Sequence, residues 1–128
     1  TRRARHAVTE LERVEDFILA MAANDSATTR RIMHEGHVSL RDDFEVSCPE
    51  LDCLVEAAEE FGHGLWGARM TGGGFGGSTV NLIEAKQVAA FTAFLSEHFY
   101  VTFERKPDIF TAHPSPGAQI FPASAGDA

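Results

Sequence analysis

Leu65-Trp66-Gly67-Ala68-Arg69-Met70-Thr71, then Gly72-Gly73-Gly74-Phe75-Gly76-Gly77, then Ser78-Thr79-Val80-Asn81-Leu82 is the stretch on which the fold turns. Its first part is a short apolar run with small residues leading into glycines, and it reads as a strand. Its last part alternates polar with apolar residues, the period of a half-buried strand, and the two are predicted to pair across the loop. Five glycines in that six-residue loop forfeit conformational entropy that a simple hairpin does not require. Something must therefore come close to this backbone: an anion held by inward-turned N–H groups, or another loop packed directly on the chain. A turn that merely avoids clashes gives no account of Phe75. The run formally satisfies G-x-G-x-x-G, but a dinucleotide fingerprint opens a helix and this one opens a strand. No Lys-Ser/Thr pair follows the last glycine, so it is not a Walker loop.

Helices are predicted on both sides of this hairpin. Ser47-Cys48-Pro49-Glu50 reads as a capping box, with the Ser47 hydroxyl accepting an N–H, Glu50 reaching back and proline tolerated in the first turn. Leu51, Leu54, Val55, Ala58 and Phe61 then form the buried stripe of a third helix, which Gly62 and Gly64 end. Before it, Ile32, Met33, Gly36, His37 and Leu40 mark a second helix, entered through an Asn24-Asp25-Ser26 break that offers an N-cap. Glycine costs about 1 kcal/mol relative to alanine in an exposed helix, so a close backbone approach is expected at Gly36. Val8, Leu11, Val14, Phe17, Ile18 and Met21 mark a first helix, antiparallel to the second.

Beyond the hairpin a fourth helix is expected from about Ala85 to Phe99, with Val88, Phe91, Phe94, Leu95 and His98 inward, and Ile109-Phe110-Thr111-Ala112 reads as an edge strand after Pro107. Past Pro114 the composition turns to Pro, Gly, Ser and Ala, which cannot offset its ordering entropy by apolar burial. The prediction is one α+β domain over residues 1–117, its helices packed on one face of a small antiparallel sheet, followed by a flexible tail over 118–128. The chain opens on Thr1-Arg2-Arg3 without Met, inside a helical pattern, and reads as a piece of a longer protein.

Eleven Lys and Arg against nineteen Asp and Glu give a formal charge of −8 over 128 residues. That balance argues against a general nucleic-acid or membrane-surface binder, because both partners are anionic and reward clustered Lys and Arg. Cys48 and Cys53 have neither redox-motif nor zinc-ligand spacing and favour a reduced, cytoplasmic setting. No apolar run approaches the roughly 20 residues that span a bilayer. His34-Glu35-Gly36-His37 is one residue short of H-E-x-x-H, so His37 is read as a satisfied core or interface histidine and no metal site is expected. Asp42-Asp43-Phe44-Glu45 could supply a base and a metal ligand, but such a run is more often solvated acid near a helix start, with Arg41 ordering the loop.

Three blocks taken together carry a family resemblance: Arg3 to Glu10, Ser39-Leu40-Arg41-Asp42-Asp43-Phe44-Glu45-Val46-Ser47-Cys48-Pro49-Glu50-Leu51-Asp52, and Gly67 to Gly77. In this order they resemble the C-terminal part of the galactokinases. The glycine block alone resembles only the wider superfamily of galactokinase, homoserine kinase, mevalonate kinase and phosphomevalonate kinase. The resemblance implies a two-domain enzyme that transfers a phosphoryl group from Mg-ATP to the anomeric hydroxyl of galactose, N-acetylgalactosamine being an alternative sugar. Its partner would be the N-terminal domain of the same enzyme, which in the family carries the sugar signature, the phosphate loop and the base. No catalytic residue is then expected here. Gly72, Gly73, Gly74, Phe75, Gly76 and Gly77 would lie near the nucleotide phosphates, with Arg69, Thr71, Ser78, Arg41, Asp42 and Asp43 as cleft-lining candidates; Ser78 stands where many relatives have Cys. A non-catalytic sugar or nucleotide sensor built on the same blocks is the alternative.

Overall fold

The computed structural model describes residues 1–122. Elements follow in the order α1 (Arg2–Ala22), α2 (Ser26–Asp42), α3 (Pro49–Phe61), β1 (Leu65–Thr71), β2 (Ser78–Ile83), a 3-10 turn (Ala85–Gln87) and α4 (Val88–Phe103). This is an α+β arrangement of four helices packed against a two-stranded antiparallel sheet. Thr71 pairs with Ser78 and Met70 with Thr79, and the register slips between Leu65 and Gly67.

Local chemistry accounts for most boundaries. Thr1 caps α1 by accepting the Ala4 N–H, and Asp25 caps α2 by accepting from Thr28 at 3.0 Å. Pro49 opens α3, and Gly62 ends it with φ 67°, a value that favours glycine. The expected capping box does not form. Cys48 is the N-cap, without a side-chain bond, and the Ser47 hydroxyl donates instead to Asp52 at 2.6 Å. A carboxylate is the stronger acceptor for that hydroxyl, and the first turn of α3 puts one within reach.

The core lies where α3 and α4 meet β1: Val55, Ala57, Ala58, Leu65, Ala68, Phe91 and Leu95 form one buried cluster, with Phe61, Ile83 and Phe94 packed against it. Along α4 Phe91 and Leu95 are buried as expected and Phe94 packs against the cluster, while Phe99 rather than His98 completes the buried row. On its other side β1 meets α2. Met33 occupies the space that a Cβ at Gly67 would need, and the Arg69 guanidinium comes within 2.7 Å of a Cβ built on Gly36. The neighbour that explains Gly36 is therefore a side chain, not the backbone that was expected.

One expected element is absent among the described residues. Ile109–Ala112 forms no strand: residues 104–122 carry no helix or strand, and Phe110 is 85% exposed. The hairpin of β1 and β2 offers its edges to other elements, but this segment does not reach them. The residues of the predicted tail from 123 onward lie outside the described ones. On α1 the apolar periodicity is real, yet its large residues face solvent, Leu11 at 72% and Ile18 at 61%, while His6 and Ala20 are the buried positions.

This difference in burial sets the first prediction. Leu51→Ala, at a position 2% exposed, should cost about 3 kcal/mol in urea unfolding of the chain, and Leu11→Ala should change stability by less than about 0.5 kcal/mol. Comparable losses at both positions would contradict this packing.

Candidate functional site

The loop between β1 and β2 is made of backbone that most side chains resist. Gly72, Gly74, Gly76 and Gly77 have φ of 80°, 81°, 125° and 99°, and Phe75 has φ 58°. These values account for four of the five glycines by conformation. A Cβ at Gly72, Gly73, Gly76 or Gly77 would meet nothing within 4 Å. Gly74 is different, because its Cβ would collide with the Val46 carbonyl, the same oxygen that accepts the Phe75 N–H at 2.7 Å. Of the two alternatives left open by the sequence, a packed neighbouring loop is therefore present at the middle of the run. The front stays open: Phe75 is 74% exposed, and the N–H groups of Gly73 and Gly76 have no backbone acceptor among the described residues. A positive-φ loop with free N–H groups can receive anionic oxygens.

Val46 is held from behind by residues 39–46, which return the chain from α2. Its own N–H donates to Leu40 O at 3.0 Å, and Phe44 N–H donates to Ser39 O at 2.9 Å. The first turns of α1 clamp this segment. Arg2 and Arg3 each pair with Glu45 at 3.0 Å, Arg5 pairs with Asp43 at 3.1 Å, and Arg3 also donates to the Phe44 carbonyl at 2.6 Å. His6 stacks on Phe44 with ring centroids 4.9 Å apart, and its Nδ1 lies 2.9 Å from Ser39 Oγ. Arg41 grips Asp42 through two bonds of 2.7 and 3.0 Å, which hold that carboxyl below its usual range. Among the described residues no group of three or more His, Cys, Asp or Glu is placed to hold a metal ion. The arginines of α1 were legible only as a short basic cluster; their separation from residues 43–45 by some forty positions hid the pairing.

The other candidates are divided. Thr71 and Ser78 are paired at the open end of the hairpin and exposed, directly flanking the glycines. Arg69 instead turns toward α1, where Arg69 Nη2 meets Glu10 Oε1 at 2.7 Å and Arg13 Nε meets Glu10 Oε2 at 2.8 Å. Burial works to raise the Glu10 pKa, but the hydrogen bonds from Arg13 and Arg69 outweigh it and keep the carboxyl below its ordinary value. This ion triad stands in a groove of about 420 Å³ that runs from Val14, Phe17 and Ile18 to Thr71 and Gly72.

A cluster that the sequence did not single out lies beneath the loop. His37, 2% exposed, places Nε2 2.9 Å from Asp52 Oδ1 and Nδ1 3.1 Å from the Met70 backbone N–H. His37 is thus the satisfied core histidine expected from its helix face. Burial lowers its pKa below 6.5, with the Asp52 bond acting in the opposite direction, and burial likewise lowers His6.

The family described as GHMP kinases C terminal matches residues 17–101. The chain is 47% identical over 118 residues to a galactokinase of Streptomyces coelicolor, covering 92% of this chain and 30% of that protein. It is 51% identical over 98 residues to a galactokinase of Homo sapiens, covering 77% and 25%. A crystal structure of Lactococcus lactis galactokinase complexed with galactose superposes with a TM-score of 0.77 at 36% identity, over 82% of this chain and 27% of that one. The chain thus spans less than a third of the length of these relatives.

Two outcomes follow from the geometry. Gly74→Ala should destabilise the chain by about 2 kcal/mol or more, since it combines a disfavoured φ with a clash against Val46, whereas Gly73→Ala, in open space without positive φ, should stay within about 0.5 kcal/mol; denaturant titration of both variants checks this. For pH, the unfolded histidines take up protons near 6.5 while folded His6 and His37 resist them. Their contribution is therefore complete above pH 6.5 and lost as pH falls through the lower folded values. The thermal midpoint should decline on acidification below pH 6.5, and much less so in the His37→Asn variant.

Proposed function

We propose, for a chain that belongs to the GHMP kinases C terminal family, that it is the C-terminal domain of a galactokinase and forms one wall of a cleft in which ATP phosphorylates galactose. The observation that carries this reading is the glycine loop: its shape is set by positive φ and by Val46 behind it, while its front face is open and rich in free N–H groups. In phosphoryl transfer the charge spreads over the equatorial oxygens, so catalysis rests on positioned donors more than on covalent chemistry. Gly73 and Gly76 would turn their amides toward such oxygens, Phe75 would meet the facing domain, and Thr71 and Ser78 would flank them.

The cosubstrate is read as Mg-ATP. The magnesium ion would neutralise the developing phosphate charge, but the acids nearest the loop fit poorly as its ligands, since Asp43 and Glu45 are already paired with arginines. The metal's ligands are therefore assigned to the rest of the enzyme, as are the base and the sugar contacts that choose between galactose and N-acetylgalactosamine. Asp43, paired with Arg5, would help hold the segment that carries Val46, while Arg41 and Asp42 pair with each other. The same reading gives residues 1–117 as the domain, the N-terminal domain as its partner, and a cytoplasmic setting. Among the described residues no helix is long and apolar enough to cross a membrane.

Gly73→Val in the full-length protein tests this reading, because the site has room for the side chain unless a ligand or the facing domain approaches. Galactose-dependent ADP release should fall by about a hundredfold, equivalent to losing one or two preorganised donors, with the thermal midpoint unchanged. The 128-residue chain alone should show no turnover. Wild-type kinetics in a folded Gly73→Val enzyme, or substantial turnover by the chain alone, would reject the assignment.

A further inference from the structure

The geometry points to His37 and Asp52 as a positioning pair that holds the glycine loop at two separate points, an inference that rests on the role proposed for that loop in phosphoryl transfer. A backbone N–H can only donate, so the Met70 amide fixes Nδ1 of His37, 3.1 Å away, as the lone-pair nitrogen. The proton of the neutral ring then sits on Nε2 and is donated to Asp52 Oδ1 at 2.9 Å. The same oxygen accepts the Ser47 hydroxyl at 2.6 Å.

Two routes therefore leave one carboxylate. Through His37 the first reaches Met70, two residues before Gly72. Through Ser47 the second reaches its neighbour Val46, whose carbonyl accepts the Phe75 N–H at 2.7 Å and closes on Gly74. The entry and the middle of the loop are thus registered to the same residue of α3. His37 is almost wholly enclosed, so water is not available to replace its bond to Met70. Neither side chain touches the open front of the loop, and their effect on chemistry would pass entirely through backbone placement.

Asparagine and glutamine separate the two ends of the imidazole. His37→Asn can keep an acceptor near the Nδ1 position and the bond to Met70, while His37→Gln can keep a donor near Nε2 and the bond to Asp52. Amide hydrogen exchange on the 128-residue chain is the first measurement. Met70 should exchange about tenfold faster in His37→Gln than in His37→Asn at similar thermal midpoints, and Ser47→Ala should accelerate Phe75 by about tenfold while leaving Met70 unchanged. Turnover by the full-length protein is the second. His37→Gln and Ser47→Ala should lower kcat about tenfold with KM for both substrates within about twofold, and His37→Asn should retain most of kcat.

Exchange at Met70 and Phe75 that follows global stability alone, identically in all three variants, would overturn the inference. If the His37 variants do not fold, unchanged Phe75 exchange in Ser47→Ala overturns it just as well. A full-length wild type that phosphorylates no sugar would defeat the proposed function, while the exchange data would still decide the positioning.

Discussion

Helix α2 lies close enough to strand β1 for Met33 to fill the space of a side chain at Gly67, and for the Arg69 guanidinium to pass over Gly36. His37, one residue further along the helix, then accepts the Met70 amide. Of these interlocks the one at Gly67 leaves no room for a Cβ, since the Met33 Cβ would lie 2.8 Å from it, whereas at Gly36 the neighbour is the far end of the Arg69 side chain. They also cover the outer edge of β1 and satisfy an amide that would otherwise be buried without a partner. A larger residue at Gly67 would separate helix from strand, and the strand that leads into the glycine loop would lose its reference.

The loop inherits its geometry from that contact and from a second one. Residues 39–46 leave the end of α2, are clamped by Arg2, Arg3 and Arg5, and bring the Val46 carbonyl under Gly74 and Phe75. Most of these ion pairs are half-exposed and individually contribute little. Their consequence is geometric: they pin a polar segment that has no hydrophobic face of its own. One side of the loop is thereby packed and the other is open, and the proposed role of its backbone donors rests on that asymmetry.

The exposed stripe of α1 belongs to the same picture. Its first turns are occupied in holding the acidic segment, and Glu10 and Arg13 hold Arg69, so the polar side of the helix is the side that faces this chain. Val8 and Leu11 are exposed, and Val14 and Ile18, though half-exposed or more, line the groove that reaches Thr71 and Gly72.

The helices, the hairpin and the special character of residues 72–77 were legible in the sequence because each depends on local terms: apolar spacing, caps and the entropy of glycine. Asp25 and Gly62 act where their chemistry says they should. Ile109–Ala112 misled for the same reason, since a short strand-like run marks a segment able to pair but not whether an edge is within reach. The Ser47 hydroxyl misled because its preferred acceptor, Asp52, lies one turn beyond the cap it was assigned to. What only the tertiary structure decided was which residues meet: Val46 beneath Gly74, three arginines of α1 against acids some forty positions away, and His37 between Asp52 and Met70. Those contacts depend on where α2 turns back along β1, and sequence periodicity, which describes each element alone, carries no term for the distance between two of them.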